Sequence, residues 1–197
     1  MKLPIVAYGD PVLKKKAVEI TSDYDGLNDL ISNMYETMYC AYGVGLAAPQ
    51  IGRSIRLFLV DTSPFSEDDS FTDDEKQALS EFKKTFINPE IMEETGQEWA
   101  FNEGCLSIPN VREDVFRKPN IKIRYQDENF KTHIDTYDGL IARVIQHEYD
   151  HIEGVLFTDK VSSLKKRLLK SKLNSISKGK IQVDYKMRFP KISNKNF

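Results

Sequence analysis

Five residues constrain this chain more than any others: His147-Glu148-Tyr149-Asp150-His151, the pattern His-Glu-x-x-His. The chain has three histidines, and two of them fall inside it. On a helix, residues four apart share a face, so both imidazoles project together. Two ring nitrogens one turn apart can close on a single divalent ion at about 2.0–2.1 Å each. Glu148, beside the first ligand, is then placed to take a proton from water at that ion. The flanks predict the helix, with Asp138 as N-cap and Gly154 as its stop. Leu140, Val144, His147 and His151 recur at helical spacing, so the ligand face continues an apolar face and looks inward. Surface histidines on an ordinary helix are the competing reading of so short a pattern.

A catalytic ion usually takes three protein ligands and keeps one position for water. No histidine follows His151, which excludes the longer pattern with a third histidine downstream. Glu153 stands too close in sequence to reach back to the same ion. Cys105 is the better third donor: it follows Gly104 and is expected in a loop between two strand-rich regions. One thiolate with two imidazoles suits Zn²⁺ or Fe²⁺. A buried free thiol is the alternative for Cys105, and the residues alone leave both open. Cys40 reads as a buried thiol on a core helix, and His133, on a strand without a neighbouring partner, as structural or surface.

Composition narrows the class. With 197 residues, 40% hydrophobic and 29% charged, the chain reads as one soluble globular domain, residues 1–197, with a sizeable core. No apolar run approaches a membrane span, and the first residues lack the apolar core of a secretory signal. The expected compartment is the cytoplasm, with the two cysteines unpaired. Charge is unevenly spread. Residues 160–197 hold twelve Lys or Arg and one acid, a local +11, so residues 1–159 carry −13 against a total of −2. A basic tail on an acidic body suggests an anionic partner; a solvated helix face accounts for it equally.

Periodicity places the other elements. Residues 1–20 read as an extended, turn-rich entry. Leu27, Leu30, Ile31, Met34 and Met38 form one stripe of a helix over about 24–40. Residues 55–61 read as an apolar strand, and 62–83 as an acidic surface insertion carrying a short helix near 74–82. Strand returns over 85–92, where Pro89 demands an edge or a bulge. Residues 120–125 and 130–136 pair as a hairpin. Ser162 or Ser163 caps a last helix to about 177, with Leu164, Leu168, Leu169, Leu173 and Ile176 on one side. Residues 181–190 are assigned no element.

Three stretches stand in order: Gly43-Val44-Gly45-Leu46-Ala47-Ala48-Pro49-Gln50, Glu103-Gly104-Cys105-Leu106-Ser107 and Gln146-His147-Glu148-Tyr149-Asp150-His151. Together they closely resemble the three signature motifs of the peptide deformylases, and the resemblance covers roughly residues 3–175. It implies an α+β fold in which antiparallel strands surround a central metal-binding helix, with an N-terminal and a C-terminal helix. It implies Cys105, His147 and His151 as ligands of one ion per chain, typically Fe²⁺, with Zn²⁺ or Ni²⁺ as substitutes. The implied reaction is removal of the N-formyl group from the initiator methionine of nascent peptides, releasing formate. Glu148 would move the proton, while the Gln50 amide and the Leu106 backbone N–H would donate to the formyl oxygen.

For the substrate, the resemblance points to Val44, Phe101 and Val144 as pocket walls, Gly45 as a backbone partner for the peptide and Arg112 near the mouth. Arg143 departs from the apolar residue common at its position. The basic C-terminal region resembles a ribosome-docking element; neither a membrane nor sequence-specific nucleic acid is implied as a partner. Two other classes compete: a metallopeptidase of the His-Glu-x-x-His type, and an inactive metal-binding homologue that only binds peptide or ribosome. Glu148 and Gln50 argue against the second, since neither is needed merely to hold an ion.

Overall fold

The 14-residue apolar-faced segment Gly139–Ile152 is the helix around which the sheets pack, and the computed structural model describes residues 1–190 with it at the centre. Thirteen elements precede or follow one another as β1 (Ile5–Val6), α1 (Leu27–Cys40), β2 (Gly45–Ala47), β3 (Leu57–Asp61), α2 (Asp73–Glu81), β4 (Lys83–Thr95), β5 (Trp99–Cys105), β6 (Ile108–Arg117), β7 (Asn120–Gln126), β8 (Thr132–Tyr137), α3 (Gly139–Ile152), α4 (Ser163–Ser177) and β9 (Met187–Arg188). The fold is α+β. Five strands make an antiparallel sheet in the order β2-β3-β4-β7-β8, and β5 pairs with β6 as a separate antiparallel hairpin. Among these strands the exception to antiparallel pairing is β1, which runs parallel to β9.

Helix α3 packs its apolar side on the large sheet. Ala142, Val144, Ile145 and Ile152 share a buried cluster with Phe58, Val60, Phe86, Ile121 and Ile123. Phe58 and Phe86 stack at 4.8 Å between centroids, and Phe86 meets Tyr125 at 4.5 Å. Each such ring is worth about 1.5–3 kcal/mol on burial. The other face of α3 is left for the hairpin β5–β6.

Both ends of α3 carry the expected residues. Asp138 occupies the cap position in an extended conformation, and its carbonyl, not its carboxylate, makes the capping bond, accepting from the Ala142 N–H at 3.0 Å. At the other end Gly154 is left-handed (φ +75°). Its N–H donates to the His151 carbonyl at 3.2 Å, and the Val155 N–H to that of Asp150 at 2.9 Å. This glycine-closed turn ties down the helical turn that carries His151.

Several expectations change. α1 starts at Leu27, because Gly26 before it is left-handed and breaks the pattern (φ +70°). Pro89 does mark a bulge, but in an interior strand: β4 lies between β3 and β7, and its register shifts between Ile87 and Glu90. Asn88 there is left-handed (φ +48°) and bonds both backbone groups of Ile20, pinning the entry segment to the sheet. The loop expected around Cys105 is instead part of the hairpin β5–β6. On α4, Leu169, Leu173 and Ile176 pack inward while Leu164 and Leu168 are 59% and 72% exposed. At 3.6 residues per turn, Leu164 and Leu168 fall on a different stripe from the other three. The segment expected as a surface insertion is anchored at its base: Thr62 is fully buried, its hydroxyl donates to the Leu79 carbonyl at 2.8 Å, and Phe65 packs on the α3 cluster. Of the basic tail expected over 160–197, residues 191–197 lie outside the described part.

A Cβ added at Gly154 would meet the Lys14 backbone at 2.8 Å, in a left-handed conformation that already disfavours side chains. Gly154→Ala is expected to lower stability by at least about 1–2 kcal/mol. Urea unfolding checks this, and an unchanged midpoint would contradict the assignment of Gly154 as the lock on α3.

Candidate metal centre

Helix α3 delivers His147 and His151 one turn apart, with ring centroids 5.1 Å from each other. The hairpin delivers Cys105 from the last position of β5, where the register slips between Gly104 and Cys105 before the tight turn at 106–107. The thiol sits on a strand end, not in the loop expected from sequence. Its Sγ lies 3.3 Å from His151 Nε2, and the donor atoms of Cys105, His147 and His151 all fall within 4.8 Å of one another. Among the described residues this cluster of possible metal-binding side chains has those three members. Cys40 is a half-buried free thiol elsewhere.

The residues around the cluster favour positive charge. Burial alone would lower the His147 ring, yet the thiol of Cys105 and the carboxylates of Glu103 and Glu148 push it up to about 10. His151 is held well below its ordinary value, by burial and by the neighbouring charged ring. One soft sulfur beside two imidazoles, with all three donor atoms within 4.8 Å of one another, fits a divalent ion.

Glu103 was missed by motif reasoning, and it organises the surroundings. Two residues before Cys105 on a strand, it projects to the same side, so alternation within the second motif was the available signal. Its Oε2 lies 2.9 Å from His147 Nδ1, which leaves Nε2 of that ring to face the thiol. Arg117 donates to both oxygens, at 2.7 and 3.0 Å, and Arg143 to one at 3.1 Å. Burial by itself would raise this carboxyl, but bonds from His147 and Arg117 hold it well below the usual carboxylate range. Arg117 reaches on to Asp150 at 2.7 Å, closing a bridge from hairpin to helix. Arg143, which departs from the apolar residue common at its position, is 2% exposed and lines the cavity beside the cluster. It stacks on Trp99 at 4.4 Å and donates to the carbonyls of Trp99 and Val115.

Glu148 is buried, and burial pushes its carboxyl up to about 7. One of its oxygens has no hydrogen-bond partner among the described residues. Gly45 makes room for it: a Cβ there would stand 2.4 Å from the Glu148 carboxylate. Gln50 is also buried; its Oε1 accepts from the Ala47 N–H at 2.7 Å, which turns the amide Nε2 toward Cys105 Sγ at 3.4 Å. Leu106 follows Cys105 directly and lies against Gly43, where a Cβ would meet its side chain at 2.8 Å.

A cavity of about 230 Å³ opens beside the cluster. Val44, Gly45, Phe101, Arg112 and Val144 all line it, together with Leu106, His147 and Glu148. Arg112 is folded back on Asn102, donating to its side-chain oxygen at 2.9 Å. Tyr42 and Phe65 line the same cavity and went unanticipated, Phe65 because it comes from the acidic segment after β3. His133, expected without a partner, pairs with Asp127 at 2.8 Å and stacks on Tyr125.

Comparison with known proteins gives one consistent result. The family model described as polypeptide deformylase matches residues 2–167. A peptide deformylase of Christiangramia forsetii is 67% identical over 190 residues, covering 96% of this chain and 97% of that protein. One from Flavobacterium johnsoniae is 62% identical, covering 96% of each. Among solved structures, a Plasmodium falciparum peptide deformylase in complex with inhibitor superposes with a TM-score of 0.74 at 32% identity, covering 88% of this chain and 99% of that one. The Thermotoga maritima peptide deformylase gives 0.71 at 37% identity, covering 82% and 99%.

If Glu103 orients His147 as described, Glu103→Gln should weaken divalent-ion binding about 10–100-fold. Competition against a chelator of known affinity reads this directly. Affinity equal to the parent's would show that the carboxylate serves only the two arginines.

Proposed function

Because the chain belongs to the polypeptide deformylase family, we propose that Cys105, His147 and His151 hold one ion while Glu148 moves the proton of the hydrolysis. The protein removes the N-formyl group from nascent peptides, releasing formate. The observation that carries the residue assignment is the convergence of one sulfur and two ring nitrogens within 4.8 Å, beside a buried carboxylate and a cavity. The ion, when bound, supplies the Lewis acid that makes water a nucleophile near neutral pH. We take it to be Fe²⁺, with Zn²⁺ or Ni²⁺ as substitutes, one per chain; the single thiolate beside two imidazoles suits these metals.

Glu148 accepts a proton from the attacking water and then hands it to the departing amine as the carbon–nitrogen bond breaks. Its raised value suits both steps, since a group titrating near the working pH can take and give a proton. The Gln50 amide and the Leu106 N–H donate to the formyl oxygen as negative charge gathers there. Val44, Phe101 and Val144 wall the methionine side chain, and Gly45 meets the peptide backbone. Arg112 stands at the mouth.

The chain acts as one catalytic domain in the cytoplasm, with the acidic segment 62–83 as an insertion. No helix among the described residues is long and apolar enough to cross a membrane. We further propose that the basic C-terminal region docks on the ribosome. Two leucines of α4, Leu164 and Leu168, stand exposed among its lysines, which supports a surface made for a partner.

Protein purified without oxygen should contain iron and release formate from formyl-Met-Ala-Ser, leaving the acetylated and unblocked peptides intact. Cleavage of internal bonds would favour a metallopeptidase, and no turnover with ion bound an inactive homologue. Glu148→Gln should keep the ion and lose about 10²–10⁴-fold in kcat. For the ribosome, the double variant Leu164→Glu, Leu168→Glu should lose co-sedimentation while deformylating free peptides normally. Unchanged co-sedimentation rejects the docking surface.

A further inference from the structure

Residues 181–189 alternate Ile-Gln-Val-Asp-Tyr-Lys-Met-Arg-Phe, and their burial alternates with them: the apolar members are half-buried and the polar ones exposed. The segment follows α4 and lies beyond residues 2–167, the part of the chain the family model matches. It runs back across the molecule to the metal centre. Met187 and Arg188 pair with Ile5 and Val6, the Ile5 N–H donates to the Lys186 carbonyl at 2.8 Å, and the Ala7 N–H to that of Arg188 at 2.9 Å. One position before that anchor, the Tyr185 hydroxyl donates to the carbonyl of Leu106 at 2.8 Å.

Leu106 and Ser107 form the turn that follows the ligand thiol. The next carbonyl, that of Ser107, accepts from the Tyr8 N–H at 2.8 Å, and Cys105 pairs with Ile108 across the turn. The turn is thus gripped on successive carbonyls from two directions, by the start of the chain and by its C-terminal segment. The Leu106 carbonyl and the Leu106 N–H belong to adjacent peptide planes joined at one Cα, so a bond that holds the carbonyl restrains the two torsions that set the aim of the N–H.

We propose that Tyr185 is a positioning residue for deformylation, its phenol holding the Leu106 carbonyl so that the Leu106 N–H points at the formyl oxygen. This rests on the reading of Leu106 and Gln50 as the donors to that oxygen. A donor to developing charge is effective only when it is oriented before the reaction begins. A phenol bond that reaches the turn from the C-terminal segment supplies that orientation.

Tyr185→Phe in the full-length, iron-loaded enzyme removes the bond and keeps the ring. A single hydrogen bond used this way should cost about three- to tenfold in kcat. KM for formyl-Met-Ala-Ser, iron content and melting temperature should match the parent, a split that simple loosening of the fold would not produce. Hydrogen exchange of the peptide spanning residues 101–108 should quicken. Parental kcat, parental exchange, or a fall in kcat that follows loss of iron each overturns the proposal. Gln50→Ala, measured alongside, reports on the oxyanion reading alone. A loss near 100-fold there with a parental Tyr185→Phe overturns the clamp and leaves that reading standing. A parental Gln50→Ala overturns the reading and the clamp with it.

Discussion

The buried carboxylate of Glu103 is the contact on which the rest of the site depends. It sits on the hairpin β5–β6 and binds His147 and Arg143 on α3, together with Arg117 on its partner strand. Hairpin and helix would otherwise meet through apolar contacts that tolerate sliding. A charged lattice does not, because each displaced group would be left buried and unpaired at a cost of several kcal/mol. Replacing such a lattice with apolar residues often leaves stability unchanged or improved. Its value here is geometric: it fixes the distance between a strand end that carries sulfur and a helix that carries two imidazoles.

The same helix must serve as core and as chemistry, and its faces divide the work. Val144 and Ile145 pack on the large sheet, His147 and His151 turn to Glu103 and Cys105 of the hairpin, and Glu148 lies against Gly45 of β2. Burial is what raises the Glu148 carboxyl. Gly45 completes the arrangement, since any side chain there would expel the carboxylate. A residue that reads as one glycine among several in the first motif is thus a space reserved for an acid from another part of the chain.

What could be read from the sequence follows the range of the physics involved. The i, i+4 spacing of the histidines, the stop at Gly154 and the hairpin β7–β8 depend on neighbours along the chain, and all three stand where they were expected. The cavity residues were reached through the family resemblance, since nothing in Val44 or Phe101 by itself points to a pocket. Arg143 and Arg117 could not be read at all: a lone arginine in a strand or helix gives no sign of a carboxylate on another element. Helical geometry puts Leu164 and Leu168 on another stripe than the packed side of α4, and of the nine alternating residues 181–189 only Met187–Arg188 pair as strand. Phe65 was hidden by its acidic surroundings.

Distance along the chain also sets how the ion and the fold depend on each other. Cys105 and His151 are 46 residues apart, so an unfolded chain offers no ready three-donor site. An ion that binds only the assembled trio stabilises the folded state by an amount that grows with its concentration over its dissociation constant. It would act as a second fastener between hairpin and helix, beside the Glu103 lattice. The two are not equivalent, because the lattice forms from side chains alone and can hold the donors in place before any ion arrives. A centre organised in this order would have its geometry set by protein contacts, so that an ion would enter a site whose donor positions are already decided.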